Sequence, residues 1–219
     1  MENFRYEIES MLQLVGVDMD VISVDPYSDE KLAEFVSELL LWNKKINLIG
    51  KSTEKSIWSR HIAESLILLP YVQGSTVLDM GTGAGLPGLP LQIVSGSNIE
   101  MHLVEKDQKK VSFLKHVSAN LNLKNIRIYN KQFTEKGFDG APLVNVVTSR
   151  ALAEINQLVA WADPCLVNGG SLVLIKGPVC KAELEKFEES DLSDKYENGE
   201  IVEYKIDSHD VNIVIIKKK

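Results

Sequence analysis

Apolar positions along this chain follow two different periods, and the change falls near residue 73. Before it, Leu32, Phe35, Val36, Leu39 and Leu40 recur at helical spacing behind a Ser28–Asp29 N-cap candidate, and Ile62, Ser65, Leu66 and Leu69 repeat the pattern ahead of Pro70. Residues 1–72 therefore predict a helical extension. Between its two periodic stretches lies Trp42-Asn43-Lys44-Lys45-Ile46-Asn47-Leu48, apolar on one side and polar on the other. After residue 73, short β-branched runs at 76–80, 100–104, 126–130, 143–148 and 171–175 alternate with helical stretches that begin near 88, 108, 153 and 181. Such alternation predicts a parallel sheet covered on both faces. Two last apolar runs, 200–206 and 211–217, flank Asp207-Ser208-His209-Asp210 and predict an antiparallel hairpin at a sheet edge. The expected architecture is α/β: a doubly wound, mostly parallel, seven-stranded Rossmann-like core over 73–219, with the extension 1–72 before it.

Composition narrows the class. Hydrophobic residues make up 44% and charged residues 25% of 219 positions, enough apolar material for a full core. No apolar run approaches the roughly 18 residues of a membrane span, and Met1–Arg5 begins no secretory leader. Cys165 and Cys180 lack metal-like spacing and read as free thiols of a cytoplasmic protein. The net charge of −7 opposes unspecific nucleic-acid binding, but the charge is uneven. Residues 42–61 carry Lys44, Lys45, Lys51, Lys55 and Arg60 against Glu54 alone, whereas 181–203 carry nine acids against three lysines. A basic patch can face RNA while the rest stays a solvated acidic surface; an ordinary helix face is the alternative.

The chemistry concentrates in Val77-Leu78-Asp79-Met80-Gly81-Thr82-Gly83-Ala84-Gly85-Leu86-Pro87-Gly88, which starts as a buried strand and ends in a helix. Gly81, Gly83 and Gly85 permit a tight turn and close approach of backbone to ligand, and the following helix start presents free N–H groups. A dinucleotide fingerprint wants a small third residue where Leu86 stands. Instead the pattern is Gly-x-Gly-x-Gly with Asp79 on the strand and Glu105, twenty residues after Gly85, closing the second strand. A carboxylate there suits the ribose hydroxyls of an adenosine ligand. S-adenosylmethionine is the expected cofactor, with a nicotinamide or flavin as the alternative.

Around the fourth strand the chain reads Val147-Thr148-Ser149-Arg150-Ala151, without the Asn-Pro-Pro-aromatic pattern of exocyclic-amine methylation. Pro164-Cys165 falls at a helix end, before a turn expected at Gly169-Gly170, a poor position for a nucleophile. Nothing looks built to remove a proton. That suits guanine N7, whose lone pair is free and whose methylation needs alignment alone.

These residues resemble the bacterial small-subunit ribosomal RNA guanine-N7 methyltransferases, the glucose-inhibited division protein B family. The likeness runs through Trp42-Asn43, Ile46-Asn47-Leu48, Arg60-His61-Ile62, Ser65-Leu66, the glycine loop through Leu91, Lys109-Lys110, Phe113-Leu114, Leu121 to Asn125, Ser149-Arg150-Ala151 and Lys176-Gly177 in order. It implies methyl transfer from S-adenosylmethionine to a guanine N7 in the decoding-region loop of 16S ribosomal RNA. The implied partner is a small subunit or its assembly intermediate, met by a monomer. By the same likeness Gly81 and Leu86 line the cofactor pocket, Phe133 and Thr134 lie by the adenine, and Arg150 contacts cofactor or acceptor. Asp79, Gly83, Gly85 and Glu105 complete the cofactor set, with Arg150, Lys176 and His61 as positioning candidates, no catalytic residue proper and no metal. The chain departs from the family at Gln132-Phe133-Thr134, where Arg-x-Glu is usual, and at Glu64, where Asp is usual. A methyltransferase for another RNA, a protein or a small molecule, or a non-catalytic assembly factor that binds cofactor and RNA, are the alternative readings.

Overall fold

The computed structural model describes residue 13 and residues 27–72, 75–207 and 209–219. The helical reading of residues 1–26 therefore lies, residue 13 apart, outside the described chain. Helix α1 spans Ser28–Asn43 with Tyr27 in the N-cap position, one residue before the expected Ser28–Asp29 cap, so Asp29 and Glu30 sit in its first turn and complement the helix dipole. A 3-10 turn, Lys51–Ser56, leads to a π-helical turn, Trp58–Ala63, which runs into α2, Glu64–Leu66; α3 is Leu69–Val72.

The core elements follow in the anticipated order: β1 Thr76–Met80, α4 Gly88–Ser95, β2 Glu100–Glu105, α5 Gln108–Asn120, β3 Ile126–Asn130 and β4 Val144–Arg150. Then come α6 Ile155–Ala162, β5 Leu166–Lys176, α7 Cys180–Glu188, β6 Glu200–Ile206 and β7 His209–Lys217. The seven strands form one sheet in the order β3-β2-β1-β4-β5-β7-β6. The first five are parallel, and β7 enters antiparallel between β5 and β6.

Strand β5 is longer than its apolar run. Gly169-Gly170, which read as a turn before it, lies inside the strand where the β4–β5 register shifts. Gly169 has φ +76°, and a Cβ on Gly170 would stand 2.7 Å from the Asn145 carbonyl oxygen. Glycine is needed here for a bulge, not for chain reversal.

Alternating strand residues feed two cores. Val77, Met101, Leu103, Val146, Val173 and Ile213 face one side with α4 and α5, while Leu78, Val104, Val147, Leu172, Leu174 and Val214 face the other with α6 and α7. Leu32, Phe35 and Leu39 of α1 and Ile62 and Leu66 belong to the first of these cores. The N-terminal helices thus share apolar packing with the sheet. Among the described residues no helix is long and apolar enough to cross a membrane.

Candidate active site

The parallel strands β1, β2 and β4 end side by side, and a cleft of about 390 Å³ opens above them, within the range of small-molecule sites. Its floor is the loop after β1. Gly81 and Gly83 adopt φ of +68° and +57°, which L side chains avoid, and a Cβ on Gly81 would stand 2.7 Å from the Leu152 methyl carbons. Gly85, at φ +83°, lies beneath the cleft wall, where a Cβ would collide with Leu89. Pro87 caps α4 and Pro90 lies in its first turn, where neither owes the helix a donor.

Asp79 underpins this loop from inside. Its Oδ2 accepts from Thr82 Oγ1 at 2.6 Å and Gly88 N at 2.9 Å, while Oδ1 is buried without a partner. Burial pushes its carboxyl up to about 6, against the lowering pull of those hydrogen bonds and of Arg150. Gly88 is glycine for space, since a Cβ would stand 2.8 Å from Asp79 Oδ2.

Glu105 closes β2 on the cleft. Oε2 accepts from Gly83 N at 2.9 Å and Oε1 from Asp107 N at 2.8 Å, and Asp107 in turn caps α5 through Lys109 N. The carboxylate is fixed by backbone, and each oxygen retains a lone pair for a hydroxyl donor. Phe133 and Trp161 form an aromatic wall, their rings 24° from coplanar with centroids 6.5 Å apart. A glycine floor, an acceptor carboxylate and an aromatic wall fit an adenosine-bearing ligand.

Arg150, at the end of β4, lines the opposite side. Its Nη1 donates to Arg60 O at 3.1 Å and Glu64 Oε2 at 3.2 Å, and its Nη2 donates to His61 Nδ1. Because arginine only donates, His61 Nδ1 is unprotonated, and Nε2–H donates to Thr53 Oγ1 at 2.8 Å. Thr53 Oγ1 in turn donates a hydrogen bond to Gly50 O at 2.8 Å. Burial first, then Arg150 and Arg60, lower His61 to about 4, so it stays neutral. Glu64 also meets His209 Nε2 of β7 at 2.9 Å. Ala151 then turns at φ +52°, and residues 150–152 all line the cleft.

Of the residues singled out from sequence, Gly81, Gly83, Leu86, Glu105, Phe133 and Arg150 meet around this cleft. Asp79 and Gly85 support it from below. Thr134 is not among the lining residues; its hydroxyl donates to Gly137 O at 2.9 Å within a local turn. His61 stands behind Arg150. Lys176 also lies off the cleft wall, paired with Glu183 Oε2 at 2.6 Å and donating to Ala153 O at 2.8 Å, so it tethers the loop that carries Leu152. Sequence reasoning gave no role to Leu48, Ile49, Trp161 or the Glu64–His209 pair. Leu48 and Ile49 do lie in or beside the half-apolar Trp42–Leu48 segment. Cys165 is buried and its thiol pushed up to about 11 by desolvation, which removes it as a nucleophile.

This sheet order, with its glycine loop and cleft at the carboxyl ends of the strands, is that of the Rossmann-like methyltransferases. The tRNA (m1A58) methyltransferase TrmI of Aquifex aeolicus superposes with a TM-score of 0.61 at 17% identity, covering 84% of this chain and 76% of that one. A SAM-dependent O-methyltransferase of Thermotoga maritima gives 0.56 at 16%, covering 84% and 71%. Residues 28–212 match the model of one family in particular, GidB, rRNA small subunit methyltransferase G, and the chain belongs to that family. Ribosomal RNA small subunit methyltransferase G of Paramagnetospirillum magneticum is 34% identical over 178 residues, 80% of each chain. Its counterpart in Klebsiella pneumoniae is 32% identical over 200 residues, 90% of this chain and 93% of that one.

Proposed function

We propose that the chain transfers the methyl group of S-adenosylmethionine to N7 of a guanine in the decoding-region loop of 16S ribosomal RNA, in the cytoplasm, on a small subunit or its assembly intermediate. Bound in the cleft, the cofactor supplies an electrophilic methyl carbon. Glu105 would accept from the ribose hydroxyls, Gly81 and Gly83 would let backbone approach the ligand, and Phe133 with Trp161 would wall the adenine side. Arg150 has five N–H donors and spends three on protein, which leaves two for a carboxylate or for guanine O6.

The observation that carries the choice of acceptor is the set of proton acceptors at the cleft. Among the described lining residues there is no histidine, cysteine or second carboxylate, and both oxygens of Glu105 already accept from backbone N–H groups. An acceptor nitrogen without a proton asks only for alignment and exclusion of water, which can supply roughly 7–11 kcal/mol of the barrier. The test is methyl transfer from labelled cofactor to small-subunit particles from a strain lacking the enzyme, followed by nucleoside analysis. Label in 7-methylguanosine is expected. Label on another base, on ribosomal protein or on no macromolecule refutes the assignment.

A further inference from the structure

The segment joining α1 to α2, residues 43–61, is built as one unit. Asn43 is buried at the end of α1; its Oδ1 accepts from the backbone N–H groups of Leu48 at 2.8 Å and Ile49 at 3.0 Å. Its Nδ2 donates to Glu54 Oε1 at 2.7 Å. A single amide therefore fixes a loop and the 3-10 turn after it. The turn continues through Thr53 to His61 and so to Arg150. On its inner side the unit supplies Leu48 and Ile49 to the wall of the cleft.

The outer side is cationic. Lys44, Lys45, Lys51 and Lys55 are exposed and have no carboxylate at ion-pair distance among the described residues. Glu54, the one acid among residues 43–61, is held by Asn43. Four unpaired cations between residues 44 and 55 stand out on a chain of net charge −7. Helix α7, which carries Glu183, Glu185 and Glu188, packs in the core on the other face of the sheet. An exposed cationic surface on a segment that also walls a cleft is the electrostatic footprint of a polyanion site.

We propose that residues 43–61 form an RNA-docking strap: phosphates flanking the target nucleotide lie along Lys44, Lys45, Lys51 and Lys55, while Leu48 and Ile49 hold the cleft in register with the docked strand. The proposal rests on the RNA-methyltransferase reading above. Asn43 is then the positioning residue that ties docking surface to cleft.

The test uses the full chain with all four lysines changed to glutamine. The KM for small-subunit particles should rise at least about tenfold, and its dependence on log salt should flatten by about 0.9 for each phosphate that is no longer neutralised. Cofactor affinity measured by calorimetry should not change. Asn43→Ala should instead weaken cofactor binding and raise the particle KM together. An unchanged particle KM or salt slope in the lysine variant overturns the proposal. A separate readout places a photocrosslinker on Lys51→Cys, which is selective because Cys165 and Cys180 are buried. Adducts on ribosomal RNA are expected, and adducts on ribosomal protein alone overturn the proposal. Should the wild-type chain methylate no RNA, the functional reading fails by that result, and the crosslink still decides what the strap touches.

Discussion

His61→Asn tests the polar chain behind the cleft. Asn Oδ1 takes the place of His61 Nδ1 and can still accept from Arg150, while the partner of Thr53 is lost. The imidazole titrates near 6.5 when exposed and near 4 in the fold, where burial and then the charges of Arg150 and Arg60 oppose a second cation. Between those values the unfolded chain binds the proton and the folded chain does not. Wild-type stability attributable to His61 is therefore full above pH 6.5 and lost as pH falls toward 4. The full separation is worth about 3 kcal/mol, and screening by solvent reaching the partly open strap reduces it to about 2 kcal/mol. Removing the ring also leaves a cavity, whose cost does not depend on pH. The measurement is urea unfolding of both proteins at half-unit steps from pH 7 to 4.5. The wild-type advantage should shrink by about 1.5 kcal/mol over that range. A difference that stays constant with pH would show that His61 is not the neutral acceptor of Arg150.

Asp79→Asn should show the opposite slope: the folded carboxyl titrates near 6 rather than 3.8, so wild type loses up to about 3 kcal/mol relative to the variant as pH rises through that window, read by the same unfolding series. Phe35→Ala should cost about 3–5 kcal/mol in a single transition, because α1 shares the sheet's core; a separate early melting step would mark the extension as independent. Arg150→Lys keeps the charge but cannot reach Arg60 O, Glu64 and His61 from one plane, so turnover should fall about 10- to 100-fold with the fold retained by circular dichroism. Lys176→Met should free the Ala151–Glu154 loop and lower kcat for methyl transfer more than cofactor affinity; equal loss of both would place Lys176 in the cofactor site itself.

What the sequence made legible was whatever depends on neighbours along the chain. The central parallel strands announce themselves because each must be apolar on both faces, and the glycine loop because its three residues share one turn. Gly169-Gly170 misleads for the same reason: a reversal and a bulge both need a positive φ or a missing Cβ, and only the pairing of β4 with β5 separates them. The pairings within the polar assembly behind Arg150 could not be read, although the sequence singles out Arg150 and His61. Two of its members, Glu64 and His209, stand 86 and 145 positions away from their partners Arg150 and Glu64, and nothing local marks those pairings.

That assembly also bears on the length of the Glu64 side chain. The side chain spans two strands' ends at once, with Oε2 on Arg150 and Oε1 on His209, and Arg60 Nε stands 3.6 Å from Oε1. A carboxylate this buried needs several donors to offset its lost hydration, and it obtains them from β4, β7 and the π-helical turn together. The same bonds immobilise the guanidinium at the cleft before any ligand arrives. A reaction that depends on alignment gains from an arginine whose orientation cost has been met during folding, since less freedom remains to be lost in the transition state. Glu64→Asp, one methylene shorter, should then keep the Arg150 contact and release His209, so the shorter carboxylate separates fixing the arginine from anchoring the hairpin.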